Sequence, residues 1–281
     1  LATPAVRKRA KDLGVDLAQV KPAEDGRVRH GDLDQFLSYN AGYGAAAAPR
    51  ADEEKKVIGM RRRIAENMAA SKRNIPHFSY VEECDVTDLE VLRAQLNSNR
   101  GDKPKLTILP LLITAICKTL PDFPMINARY DDEAGVVTRH GSVNMGMAAQ
   151  TDAGLMVPVI DNAESLSIVQ LADRVAELAS GCRDRTINRE HLAGGTFTIS
   201  NVGSAGGAFA TPIINYPQVG ILAAGRTRER VLTKNGTFYA GSVLPLSLSC
   251  DHRVVDGAEG ARFLQTMTNL LQDPSELLPE S

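Results

Sequence analysis

GILAAGRTRERVLTKNGTFYAGSVLPLSLSCDHRVVDG, residues 220–257, places two short apolar runs, 220–224 and 246–249, on either side of an Asn235-Gly236 pair. Asn-Gly tolerates the positive φ angles that tight hairpin turns demand, so the stretch predicts antiparallel pairing. Other short runs that suit strands lie at 77–81, 143–149, 155–160 and 196–200. Apolar residues at helical spacing occur around Ile64 and Met68, at 88–96, at 109–120, where Pro121 ends the pattern, and at 168–179. The helices bracket the strands without alternating regularly with them. That gives an α/β class with a mixed sheet, not a regular doubly wound fold.

Residues 1–40 read as a very small helical unit. Thr3-Pro4 is a cap followed by a first-turn proline, and Ala5, Val6, Ala10 and Leu13 share a stripe before Gly14, which predicts a helix over 4–13. Turn residues at 22–26 lead to Gly31-Asp32, after which Leu33, Phe36 and Leu37 predict a second short helix. About 40 residues is the size limit for unaided folding, so docking suits this unit better than catalysis. Residues 41–52, AGYGAAAAPRAD, suit a linker, although the alanines could extend a helix. The main domain is then 53–281.

Composition narrows the function. A chain of 281 residues with 43% apolar and 23% charged residues has ordinary globular values. Lys plus Arg number 32 against 34 Asp plus Glu, and a net charge of −2 supplies no field to hold nucleic acid by its phosphates. The longest nearly apolar run, 108–117, contains Pro110 and Thr114 and falls well short of the roughly 20 residues that cross a bilayer. Cys84, Cys117, Cys182 and Cys250 form no CxxC pair and no zinc-like cluster; they read as small buried hydrophobes in a reducing compartment, with no metal expected. A start at Leu1 without a signal-peptide pattern reads as a trimmed fragment.

Three segments could carry chemistry. In DHRVVDG, residues 251–257, His252 between two carboxylates and an arginine could be a general base oriented by ionic neighbours, although a histidine in a charged loop is more often a solvated or hydrogen-bonded structural residue. In GTFTISNVGSAGG, residues 195–207, the hydroxyl of Ser200 at a strand end could donate to a developing oxyanion, while a tight connection that needs positive φ explains the glycines as well. The basic run Arg61, Arg62, Arg63, with Ser71 and Lys72 on following turns, could meet phosphates or form a solvated basic face.

DHRVVDG together with GTFTISNVGSAGGAFATPIINYPQVGIL, IPHFSYVEECDVTDLEVLR and TDAGLMVPVI resembles the catalytic domain of the dihydrolipoamide acyltransferases of 2-oxo acid dehydrogenase complexes, over nearly all of 53–281. TPAVRKRA at 3–10, with Gly26-Arg-Val28 and Asp32-Leu33, resembles the peripheral subunit-binding domain of the same proteins. The resemblance implies a two-layer, mixed-sheet domain of the chloramphenicol acetyltransferase-like kind after a small all-α dock. It implies acyl transfer from an S-acyl-dihydrolipoyl group to coenzyme A. His252 would take the thiol proton, Ser200 would donate to the oxyanion, and Asp256 would support the site through an ion pair with an arginine. Arg62 and Ser71 would meet coenzyme A, and His77, another family landmark, is read as structural.

The resemblance further implies a homotrimer in which the histidine of one chain faces the serine of its neighbour. Trimers of the family build larger cores through an apolar C-terminal tail, from which LLPES at 277–281 departs. No Asp-Lys-Ala-type turn is present, so the lipoyl group is expected from a domain outside this chain. Residues 1–40 would dock dihydrolipoamide dehydrogenase or the 2-oxo acid decarboxylase, with Arg7, Lys8, Arg9 and Lys11 offering charge. The expected compartment is a bacterial cytoplasm or the mitochondrial matrix. HFSYVEECDVT at 77–87 looks more like the branched-chain than the succinyl enzymes, with acetyl transfer of the pyruvate type as the alternative. Two other readings are an O-acetyltransferase of the chloramphenicol type, against which the N-terminal unit speaks, and a non-catalytic scaffold, against which intact His252, Asp256 and Ser200 speak.

Overall fold

The structure, a computed structural model, describes residues 1–42, 51–152, 154–203 and 206–278. Most of the expected linker, Ser204 and Ala205 of the glycine-rich turn, and the chain end from Pro279 lie outside the described residues. The chain divides into two compact units, Leu1–Lys56 and Val57–Ser281.

In the first unit, α1 (Pro4–Asp12) starts where the sequence predicts, with the Thr3 hydroxyl accepting the amide of Val6, and the chain turns out of it at Gly14 with φ +66°. A 3₁₀ turn at Leu17–Gln19 and α2 (His30–Gly42) complete the unit. Val6, Ala10, Val20, Val28 and Leu33 form its core, a small one that suits the limit set by its length. Of the expected basic cluster, Arg9 is paired with Asp34 at 2.6 Å across the helices. Both partners are largely exposed, so the pair adds little stability.

The second unit runs α3 (Gly59–Asn74), β1 (His77–Asp85), α4 (Thr87–Ser98), α5 (Ile108–Thr119), β2 (Ala128–Asp131), β3 (Val136–Arg139), β4 (Met145–Met147), β5 (Ala149–Thr151), β6 (Gly154–Met156), β7 (Val159–Ile160), α6 (Ile168–Asp184), β8 (Phe197–Asn201), β9 (Gly220–Ala224), β10 (Arg228–Lys234), β11 (Thr237–Asp251) and α7 (Gly257–Gln272). The main sheet has the order β1-β11-β9-β8-β4-β7, with β10 also on β11. β8 runs parallel to both β4 and β9 and the other pairs are antiparallel, so the sheet is mixed, as expected. β10 and β11 are joined by Asn235-Gly236 with φ of +52° and +78°, the hairpin that the dipeptide predicts.

β11 organises the sheet. β1 follows one edge over Val243–Asp251, while β10 and then β9 share the other edge. Alternation along the strands separates two faces. Leu244, Leu246, Leu248 and Cys250 join Leu222, Phe197, Ile199 and Met145 in the main core. α5 and α7 are part of the same core. α5 buries nine of its twelve residues, and large apolar side chains such as Leu111, Leu112 and Ile116 contribute about 1.5–3 kcal/mol each when fully buried. The opposite face carries hydroxyls: Ser79 and Ser249 bond across the strands at 2.7 Å, and Thr198 donates to Gln218 at 2.6 Å. At Gly220 a Cβ would stand 2.8 Å from the Phe197 ring, so only glycine lets β9 pass this close.

The observed elements differ from the expected ones in several places, and the expected strand at 246–249 is the end of the much longer β11. The run 143–149 divides into β4 and β5, and 155–160 into β6 and β7, because β5 and β6 pair with each other outside the main sheet. β1 extends to Asp85, and α6 continues to Asp184, where Arg185 ends it at φ +60°. β2, β3 and β10 were not expected. Among the described residues no helix is long and apolar enough to cross a membrane.

Candidate active site

β11 brings Asp251 to the end of the sheet opposite His77, and the chain then turns sharply into α7. The turn is closed by Asp251 itself. Its carbonyl accepts the amides of Val254 at 3.1 Å and Val255 at 3.0 Å, and its carboxylate accepts the amide of Arg253 at 3.0 Å. His252 sits at the exposed crest, its amide donating to the carbonyl of Pro76 at 3.1 Å and its ring lying 4.5 Å from that of Phe78. No ring nitrogen of His252 has a hydrogen-bond partner among the described residues, which leaves the imidazole open to take a proton.

Asp256 ends the same turn and caps α7, its carboxylate accepting the amide of Glu259 at 2.7 Å. An acid there also suits the helix macrodipole. Burial, with the Asp256 charge as a second cause, raises the Glu259 carboxyl above its usual range. The arginine pair expected for Asp256 is absent among the described residues: Arg253 turns to Asp251 instead, with Nη2 to Oδ2 at 2.6 Å and Nε to Oδ1 at 2.9 Å. The physical reason is burial. Asp251 is 1% exposed and needs a cation, whereas Asp256 is open to solvent.

Arg253 also reaches Asp132, beyond the end of β2, and its guanidinium stacks 4.6 Å from the centre of the Tyr130 ring. The Tyr216 hydroxyl donates to Asp132 at 3.0 Å. The sequence showed the arginine between two carboxylates but gave no signal for Asp132, which is distant in the chain.

Ser200 lies near the end of β8 on the hydroxyl-bearing face, partly buried and in register with Ala223 of β9. Beyond it the Asn201 side chain accepts the amide of Gly203 at 3.2 Å, and Gly206 and Gly207 adopt φ of +98° and +97°. The positive φ at Gly206 and Gly207 is what the tight-connection reading of the glycines expects. Within one protomer Ser200 and His252 do not meet. Ser200 is level with Ser247 through Ala223, and Asp251 lies four residues further along β11 and two strand spacings across, a separation of about 16 Å.

Ser71 does not occupy the position expected of it. Its side chain is fully buried and its hydroxyl donates to the carbonyl of Ile214 at 2.7 Å, so it pins α3 to the segment before β9 and has no face for a phosphate. Arg62 is exposed, with Nε donating to Glu66 at 2.8 Å. His77 is a structural link. Nε2 accepts the Ile214 amide at 3.0 Å and Nδ1 donates to the Ile75 carbonyl at 2.9 Å, which sets the neutral tautomer, and burial lowers its pKa. The four cysteines are buried and unpaired. Burial pushes the thiols of Cys84 and Cys117 up to about 12, which removes both as nucleophiles.

Residues 49–279 match the family of 2-oxoacid dehydrogenases acyltransferase (catalytic domain), and residues 1–34 match the E3 binding domain. The lipoamide acyltransferase component of the branched-chain alpha-keto acid dehydrogenase complex of Pseudomonas aeruginosa is 50% identical over all of this chain and 68% of its own length. The dihydrolipoyllysine-residue acetyltransferase of the Bacillus subtilis pyruvate dehydrogenase complex is 37% identical, again over the whole chain and 68% of its own length. Among solved structures, the dihydrolipoamide acetyltransferase of Azotobacter vinelandii is 36% identical with a TM-score of 0.77, covering 85% of this chain and 97% of that one. With a catalytic-domain match over most of its length, this chain belongs to the 2-oxoacid dehydrogenase acyltransferase family.

Proposed function

We propose that the chain transfers a branched-chain acyl group between a dihydrolipoyl thiol and coenzyme A, with 53–281 as the catalytic domain and 1–40 as the dock, joined by a linker at 41–52. The observation that carries the mechanism is the open imidazole of His252 on a turn tied by Asp251 and Pro76. A free thiol titrates near about 8.5 and an imidazole near about 6.5, so a neutral ring is a competent acceptor near neutrality with modest help. His252 takes the proton from the thiol of coenzyme A, and the thiolate attacks the acyl carbonyl carbon. The tetrahedral oxyanion accepts a hydrogen bond from the Ser200 hydroxyl. Collapse breaks the bond to the dihydrolipoyl sulfur, which leaves as a thiol with the proton returned by the imidazolium. Asp256 fixes the start of α7 behind the turn.

The separation of about 16 Å between Ser200 and Asp251, the residue before His252, calls for the Ser200–His252 pair to close between two subunits. A head-to-tail interface that closes makes a ring, and the trimer is the ring that the resemblance implies. A relative of 35% identity forms the cubic core of the pyruvate dehydrogenase multienzyme complex, which supports a larger assembly here. In the Azotobacter vinelandii enzyme a serine, a histidine fifty-two residues after it and an asparagine four residues further on are described by their role in the catalytic mechanism. Ser200, His252 and Asp256 keep those spacings, with aspartate in place of asparagine.

Arg62, exposed on α3, is the residue we assign to the coenzyme A phosphates. Residues 1–40 serve dihydrolipoamide dehydrogenase, with the 2-oxo acid decarboxylase as the second partner, and the lipoyl arm comes from a domain outside these residues. The relatives named as branched-chain components are bacterial, which favours a bacterial cytoplasm over the mitochondrial matrix. Identities of 50% and 47% to two branched-chain components, against 37% to an acetyl-transferring relative, favour the branched acyl group. The test compares acetyl, isobutyryl, isovaleryl and succinyl coenzyme A with free dihydrolipoamide, for the chain and for His252→Ala. Isobutyryl and isovaleryl transfer should be fastest, and the variant should lose most of the rate while keeping its oligomeric state. Wild-type turnover in His252→Ala would end the assignment of the base, and faster acetyl transfer would end that of the acyl group.

A further inference from the structure

We propose that Asp132 is a positioning residue for acyl transfer, acting through Arg253 to brace the turn that carries His252. The inference rests on the reading of His252 as the base.

Arg253 is the junction of three parts of the chain. Its Nε and Nη2 engage the buried Asp251 at the end of β11, its Nη1 engages Asp132 in the turn between β2 and β3, and its planar face lies over Tyr130. Tyr216, from the segment before β9, donates to the far oxygen of Asp132. Arg253 and Asp132 keep only 26% and 28% of their side-chain surface exposed, so the pair is screened less than an open surface pair. The fork also has a fixed plane. With one edge on Asp251, one nitrogen on Asp132 and a ring below, the Arg253 side chain has no free rotation, and its backbone is the residue next to His252.

Asp132 belongs to neither the core nor the main sheet. The β2–β3 ribbon lies outside the main sheet, tied to the segment before β9 by the Arg129–Gln218 bridge and the Val219 amide on the Ala128 carbonyl, and the turn around Asp132 is already closed by Asp131, which accepts the amides of Glu133 and Ala134 at 3.0 Å. The hairpin therefore does not need the Asp132 carboxylate, but Arg253 does. Without it the Asp251 pair survives and Nη1 loses its anchor, so the crest of the turn gains freedom at the residue beside the imidazole. A base displaced by a fraction of an ångström loses rate, while a substrate bound elsewhere keeps its affinity.

The experiment uses the full chain with isobutyryl coenzyme A and dihydrolipoamide, and the variants Asp132→Asn, Asp132→Glu, Arg253→Lys, the double variant Asp132→Asn/Arg253→Lys, and His252→Gln. Asp132→Asn should lower kcat by about tenfold with KM for both substrates within about twofold. Asp132→Glu should recover part of the loss, and the double variant should be no slower than Arg253→Lys, because residues acting as one unit are not additive. A normal kcat in Asp132→Asn while His252→Gln is inactive overturns the inference alone. A KM change that accounts for the whole effect also overturns it, since it would place Asp132 on the substrate. Full turnover in His252→Gln overturns the reading of the base and the inference with it.

Discussion

Replacing His77 by phenylalanine keeps a ring of similar size and removes both nitrogens. Two hydrogen bonds are lost, to the Ile75 carbonyl at 2.9 Å and from the Ile214 amide at 3.0 Å, each worth about 0.5–1.5 kcal/mol net. Ile214 is fully buried, so its amide finds no water in exchange, and a buried unpaired donor costs about 1–3 kcal/mol. Counting the Ile75 bond once and the unpaired Ile214 donor in place of its bond, the change should cost about 2–4 kcal/mol, which for a unit of this size lowers the melting temperature by roughly 5–15 °C. The wild-type protein carries a pH signature of the same bond. Burial, aided by the charge of Lys72, lowers the folded pKa of His77 below the ordinary value near 6.5, despite the opposing bond to Ile75. The unfolded chain then binds the proton more readily. The stability contribution is complete above about pH 6.5 and is lost as pH falls from there through the folded pKa, because a protonated Nε2 cannot accept the Ile214 amide. Melting curves at about pH 7.5, 6.5 and 5.5 should show a smaller acid loss in His77→Phe than in the wild type. Equal melting temperatures near pH 7.5, or identical pH slopes, would refute the account of His77 as a neutral double link.

Ser200→Ala should lower kcat by about 10²–10³ with little effect on melting, since it removes one oxyanion donor; steady-state kinetics beside a thermal melt decides, and an unchanged kcat removes Ser200 from the site. Ser71→Ala should do the reverse, lowering stability by about 1–2 kcal/mol in urea unfolding with KM for coenzyme A unchanged, whereas a raised KM would return Ser71 to the binding surface.

The features legible in the sequence are those that local chemistry dictates. Thr3-Pro4 starts a helix because a hydroxyl and a missing amide fit its first turn, and Asn235-Gly236 makes a hairpin because both residues accept positive φ. β10 was hidden because Arg228–Lys234 is exposed along almost its whole length, so no alternation of apolar and polar residues marks it. β2 and β3 were hidden for a similar reason, being a short ribbon at the margin of the core. His252 and Ser200 could be singled out because each sits in an unusual local run. The role of Ser71 could not be read, since burial against Ile214 depends on a contact between residues far apart in the chain, and neither could the choice of Arg253 for Asp251 over Asp256.

The length of β11 constrains how the gene can vary. One extra codon within the span paired to β1 would exchange the leucine row with the serine row beyond the insertion, so leucines would enter the buried hydroxyl-bearing face and the hydroxyls would meet α7. It would also carry the imidazole about 3.3 Å along the strand axis. The tip at Asn235-Gly236 is free of that penalty, because the strand reaches full pairing only after it. Tags or loops grafted at the tip should leave turnover intact, while the same graft a few residues later should abolish it.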